Sequence, residues 1–263
     1  MDLFKNILEK GFKGWGKIFT VSDLIQELNI ALIDKGFHKT NSRLVFSVCS
    51  DDCNRLAERE TVEKALTKIF NREFHLGGIA GYPIGGVSGI IAASHHPPDV
   101  LSLEGLKERN GNLIFFASPH IGVIKRETIT YGSFVRPGQQ KPTASCDAMM
   151  GFLNALKMAQ SSNGLSGESN DLDIDPSKTI IYEQLIDNYS ERLDALLELN
   201  DINQQVIELF KINHDLVETA LLRMIDEFKK REHFSGKIVL ISGITINISD
   251  KDYFVLKQIK HSN

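Results

Sequence analysis

Apolar residues recur along the chain in two spacings, and the alternation between them predicts the elements. From Ser22 the series Leu24, Ile25, Leu28, Leu32, Ile33 is helical, with Ser22 as a cap and Gly36 as the stop. Leu44 to Val48 is short, apolar and partly β-branched, which predicts a buried strand. Asp51 or Asp52 can then cap a helix running through Arg59, Val62, Leu66 and Phe70. A second buried strand starts at Asn112 and ends at Ser118-Pro119-His120, and Thr128 to Phe134 predicts a further one. A turn-rich loop from Arg136 gives way to a helix through Leu153 and Leu156 to Met158. Thr179 to Glu198, Ile202 to Phe210 and Leu216 to Lys230 again have helical spacing. The β-branched run from Lys237 to Ile248 predicts a late strand at an edge or in a second sheet. Strands and helices in this order predict an α/β fold.

Between these elements lie stretches with a different texture. Leu76 to Gly89 is too glycine-rich for a helix, and backbone without Cβ atoms implies close approach. Gly78 and Tyr82 would then wall the active site, or the segment serves tight packing alone; no clean Gly-x-Gly-x-x-Gly follows a strand here. His95 and His96, set before prolines, could bind metal or relay protons, or simply be solvated. Gln160 to Ser177 is a polar, acidic loop. The first fifteen residues are amphipathic and cationic, which suits a helix docked on the domain, with membrane-surface binding as the alternative.

Composition narrows the function classes. A net charge of −4 with dispersed lysines and arginines predicts no nucleic-acid surface. No stretch is long and apolar enough to span a bilayer, so no stable membrane insertion is expected and the cytoplasm is the default location. Three cysteines, two of them four residues apart around acids, do not make a disulfide framework; they suit a reducing compartment.

Those cysteines carry the chemistry. Cys49 ends an apolar strand at the sheet edge where α/β proteins bind ligands, His120 ends another, and Cys146 lies near the start of a helix. Together they form a Cys2His set with a fourth position left over, the pattern of catalytic zinc, which lowers the pKa of bound water to about 7. Asp51 could accept a proton beside the metal while Arg55 grips it, keeping Asp51 from closing the site as a fourth ligand. Cys49 and Arg55 also have the Cys-x5-Arg spacing of thiol phosphatases. Asp51 and Asp52 would repel a phosphate dianion there, and the loop has no glycine to aim its amides inward.

The motifs Cys49-Ser-Asp51-Asp-Cys-Asn-Arg55, Gly77-Gly78-Ile-Ala-Gly81-Tyr-Pro83 and Ser118-Pro119-His120-Ile-Gly122 resemble those of the LCIB (low-carbon-dioxide-inducible B) proteins, the theta-class carbonic anhydrases. The resemblance is strongest from Leu44 to Met150. It implies a fold similar to beta-class carbonic anhydrases, with a mostly parallel central sheet flanked by helices and additional N- and C-terminal helices. One domain would span 1–263, with N-terminal helices over 1–40, a catalytic core over 41–160, and a helical region with the late strand over 161–263.

The implied activity is zinc-dependent hydration of carbon dioxide to bicarbonate in a homodimer. One Zn2+ per chain would lie on Cys49, His120 and Cys146, hydroxide on zinc would attack carbon dioxide, and Asp51 and Arg55 would stand beside the metal. The chain departs from the beta-class Cys-x-Asp-x-Arg motif, since Arg55 falls two places later, and Arg59 is a possible substitute partner. Members of the family differ in activity, so a zinc-containing homologue serving inorganic-carbon binding or assembly is the alternative.

Overall fold

The computed structural model describes residues 3–56, 58–70, 73–95, 111–161 and 175–262. Its centre is an eight-stranded, mostly parallel sheet. The strands are β1 (Lys17–Thr20), β2 (Ser42–Val48), β3 (Glu73–His75), β4 (Asn112–Ser118), β5 (His120–Lys125), β6 (Ile129–Tyr131), β9 (Ile238–Asn247) and β10 (Asp252–Ser262). They run in the order β1-β10-β9-β4-β2-β3, with β5 on β9 and β6 on β5. The pairs β3-β2, β2-β4, β4-β9 and β5-β9 are parallel, whereas β10 and β1 extend the sheet antiparallel. A separate ribbon pairs β7 (Ser133–Phe134) with β8 (Thr143–Ala144).

The central strands are apolar on both faces because helices cover both. Leu44 and Phe46 of β2, Ile114 and Phe116 of β4, and Val239 and Ile241 of β9 pack with helices α2 (Val21–Ile33) and α3 (Val62–Ile69). The alternate residues Val45, Leu113, Phe115, Ile238 and Leu240 pack with α4 (Gly86–Ser94) and α7 (Ile202–Glu232). This is why these strands read as continuous apolar runs. A third cluster joins α1 (Leu3–Gly11), α5 (Asp147–Ser161), α6 (Pro176–Leu197) and α7 around Ile121, Ile244 and Ile246, and it includes Cys49 and Cys146. The amphipathic start of the chain follows the docking alternative: Leu8 and Phe12 are buried in this cluster.

Several expectations are corrected. Asp51 caps only a short 3-10 turn, Asp52–Asn54; the following helix starts at Val62, where the Thr61 side chain caps it. The glycine-rich segment does turn helical, from Gly86, once Gly85 has brought the chain out of the loop. The β-branched run near the carboxyl end is not an edge strand. β9 is central, and β10, which follows it as a hairpin partner, takes the place nearer the edge. The apolar spacing of 202–210 and 216–230 belongs to one long helix, α7. No helix of the described residues is long and apolar enough to cross a membrane.

Candidate metal centre

Sheet register builds the site. β2 and β4 run side by side until Val48 faces Ser118, so the next residues of each strand, Cys49 and Pro119-His120, emerge together. Past Pro119 the chain stays on β9, with His120 opposite Thr245 and the Thr245 amide donating to the Pro119 carbonyl at 3.0 Å. Cys146 comes in from the side, directly before α5. Its approach depends on Gly122, where a Cβ would lie 2.5 Å from the Ser133 carbonyl and 2.7 Å from Ser145 Cβ. A Cβ on Gly77 would meet the Val48 backbone at 2.5 Å, so the glycine-rich segment does pass against something: the end of the Cys49 strand. The carbonyl of Gly78 then accepts from the Ser50 amide at 3.2 Å.

The three donor atoms of Cys49, His120 and Cys146 lie within 4.8 Å of one another, and all three residues are buried. His120 Nδ1 is 2.7 Å from Asn247 Oδ1, whereas the buried Nε2 has no hydrogen-bond partner among the described residues. An imidazole nitrogen left bare among sulfurs is costly unless something binds it. The Cys146 thiol donates to Cys49 and, with the imidazole nearby, holds the Cys49 pKa at about 3 in spite of burial. The same bond pushes the Cys146 pKa well above the usual thiol value. Two sulfurs, one of them a ready thiolate, and an unpartnered imidazole nitrogen fit zinc. A third sulfur, Cys53, is 3.2 Å from His120 Nδ1; its pKa is raised by burial, so it stands there as a thiol.

Asp51 Oδ2 lies 4.0 Å from His120 Nε2, at the edge of this group. Its partner is neither Arg55 nor Arg59. Arg136 donates one nitrogen to both Asp51 oxygens, at 2.9 and 2.8 Å, and its Nε to Asp52 at 3.0 Å. Thr143 Oγ1 and the Ala144 carbonyl accept from the other nitrogen, which anchors the guanidinium to the ribbon leading into Cys146. Arg55 turns the other way, to Glu63 at 3.0 Å and His75 at 3.0 Å, because the 3-10 turn rotates it off the Asp51 face. Arg59 is consumed by Asp252 at 2.6 Å. The turned-away Arg55 also removes the Cys-x5-Arg pairing on which thiol phosphatase chemistry depends.

The remaining residues expected at the pocket lie apart from one another. Tyr82, half-buried, lines a groove of about 380 Å³ with Tyr189, Leu216 and Arg223, a groove lined by none of Cys49, Asp51, His120 or Cys146. His95 belongs to a different region: its exposed ring meets Glu232 at 3.2 Å, at the end of α7. Asn213 of α7 touches the loop beside Cys49 through the Ala80 carbonyl, and Glu232 lies roughly 28 Å further along that helix at 1.5 Å per residue. Among the described residues His95 is thus placed at the far end of α7 from the metal donors. His96 lies outside the described residues.

Residues 18–262 match the family described as limiting CO2-inducible proteins B/C beta carbonic anhydrases. The chain belongs to this family. No curated protein sequence matches it. Among solved structures it is similar to PtLCIB4, a homolog of the limiting CO2-inducible protein LCIB, with a TM-score of 0.74 at 22% identity over 97% of this chain and 95% of that one. A histidine-to-alanine mutant of PtLCIB4 gives 0.76 at 23% identity, covering 98% and 93%. LCIB itself gives 0.65 at 18% identity, covering 100% and 99%. At such identities the likeness shows the shared fold, a carbonic-anhydrase-like α/β fold with a candidate metal site at Cys49, His120 and Cys146.

Proposed function

We propose that this family member is a zinc-dependent carbonic anhydrase that hydrates carbon dioxide reversibly to bicarbonate, with Cys49, His120 and Cys146 as metal ligands and Asp51 as the acid beside them. The observation that carries the reading is the bare, buried His120 Nε2 set among two sulfurs and a carboxylate held by Arg136. Zinc at these residues would supply Lewis-acid activation of water for addition to carbon dioxide. Asp51 has one oxygen tied to the Cys53 amide at 3.1 Å and the other facing the imidazole, so it can take a hydrogen bond or a proton from a reacting water. Arg136 holds the carboxylate in that orientation and opposes its turning inward to fill the position a reactant needs. Buried Ala80 and the partly buried Ile79, packed in the same cluster as Cys49, provide an apolar wall suited to a nonpolar gas. We place the protein in a reducing compartment, the cytoplasm, where Cys49, Cys53 and Cys146, none of them in a disulfide, would stay available to a metal.

The test is metal analysis coupled to stopped-flow carbon dioxide hydration, on the wild type and on His120→Ala. About one zinc per chain and chelator-sensitive hydration, both lost in the variant, are expected. Zinc without hydration at any pH would leave the inorganic-carbon binding homologue, and a wild type that holds no zinc would end the reading.

A further inference from the structure

Behind His120 runs a line of buried polar groups that the reaction itself does not use. Asn247, at the end of β9, places Oδ1 2.7 Å from His120 Nδ1 and donates Nδ2 to Asp252 Oδ1 at 3.0 Å. Asp252, at the start of β10, receives Arg59 at 2.6 Å on that same oxygen and the Val62 amide at 3.1 Å on the other. Arg59 also donates to the carbonyls of Cys53 at 2.7 Å and Lys251 at 2.9 Å. Asn247 is fully buried, Asp252 is 1% exposed, and the Arg59 side chain is 3% exposed.

The chemistry of these groups gives the line a direction. A carboxylate beside an arginine only accepts hydrogen bonds, so the amide must turn its NH2 toward Asp252. Asn54 reinforces that choice, because its Oδ1 accepts from the same NH2 at 3.3 Å while its own NH2 donates to the Cys49 carbonyl at 3.2 Å. The Asn247 oxygen then has to face the imidazole, and at 2.7 Å it demands a hydrogen on Nδ1; the Cys53 thiol beside that nitrogen donates to the same oxygen at 3.4 Å, which leaves the lone pair on Nε2. That is the nitrogen found bare among Cys49, Cys146 and Asp51.

We propose that Arg59, Asp252 and Asn247 are positioning residues that fix the tautomer and the ring orientation of His120 for metal binding. The inference rests on the zinc reading above. It places part of the site's specificity in the last two strands, remote in sequence from every ligand. Partners of this kind typically contribute 10- to 100-fold to metal affinity.

Two measurements test it. In zinc-loaded wild type, 1H–15N spectra of the His120 ring should show an exchange-protected hydrogen on Nδ1 and the metal on Nε2; a hydrogen on Nε2 overturns the proposal without any variant. Zinc affinity, by competition with a chromophoric chelator, should fall roughly 10- to 100-fold in Asn247→Leu, with Asn247→Ser as the second variant should the first not fold. Asn247→Ser, whose short hydroxyl does not reach the ring, should show the same loss. Unchanged affinity in a folded variant sinks the positioning role while the zinc reading stands; no zinc binding in the wild type removes the zinc reading itself.

Discussion

Arg136 and Arg55 give the sharpest contrast between single residues. Replacing Arg136 by Ala frees Asp51 and Asp52 together, and hydration activity is expected to drop roughly 10- to 100-fold with zinc retained. Arg55→Ala, measured in the same stopped-flow assay, should stay within about threefold of wild type, since that guanidinium serves Glu63. Loss of activity in Arg55→Ala but not in Arg136→Ala would reverse the assignment. Glu63 carries a pH prediction of its own. Burial pushes its pKa up from 4.5 to about 7, with Arg55 opposing. A folded-state pKa above the unfolded one means that the native form holds the proton more tightly. The stabilisation is therefore complete below about pH 4.5 and is lost as pH rises through about 7, on the order of 3 kcal/mol. Urea unfolding between pH 4.5 and 8 should show this fall, and Glu63→Gln should flatten it. The candidate metal cluster was legible because Cys49 and His120 each end an apolar strand, whereas Arg136 was hidden by its setting in a turn-rich loop. A side chain that reaches back across such a loop leaves no periodic signal. The only hint was that this loop ends at Cys146.

At the scale of elements, the site depends on where backbones approach. Gly122→Ala would press a methyl group on the Ser133 carbonyl and on Ser145, and so displace Cys146 while the sheet core stays intact. Zinc affinity should fall by an order of magnitude or more, with far-UV circular dichroism unchanged; wild-type affinity would show that the ribbon yields. Phe116→Ala, in the fully buried middle of β4, belongs to a different class and should cost about 3–5 kcal/mol in chemical denaturation. The strands themselves were visible as apolar runs because both sheet faces are covered. What pattern could not reveal was order: nothing in the β-branched run from Lys237 says that it lies between β4 and β10. Asn247 and Asp252 gain their roles from that placement, so the rear of the site was illegible for the same reason.

For the whole molecule, a metal held at Cys49, His120 and Cys146 would be coupled to the fold. Binding to the native state alone stabilises it by mass action, about 4 kcal/mol when free metal stands a thousandfold above Kd. Chelation should accordingly lower the Tm by on the order of 10 °C, with recovery on adding zinc back. Apolar side chains also stand exposed on α5, α6 and α7, with Met158 at 71%, Ile180 at 48% and Ile202 at 50%. Pairing of two copies that covers such side chains is expected to give a mass of twice 29.4 kDa by light scattering; the mass of a single chain would exclude the homodimer.

The central position of β9 has a consequence for biosynthesis. A ribosome delivers the chain from its amino end, so β4 emerges with β2 on one side and an open apolar edge on the other until residues 238–247 clear the exit tunnel. Cys49, His120 and Cys146 are therefore all made before Asn247, which reaches its place behind His120 only when β9 docks. An unpaired apolar strand edge of this kind is prone to aggregation until its partner arrives, and a metal held by Cys49, His120 and Cys146 would gain the support of Asn247 only once β9 is in place.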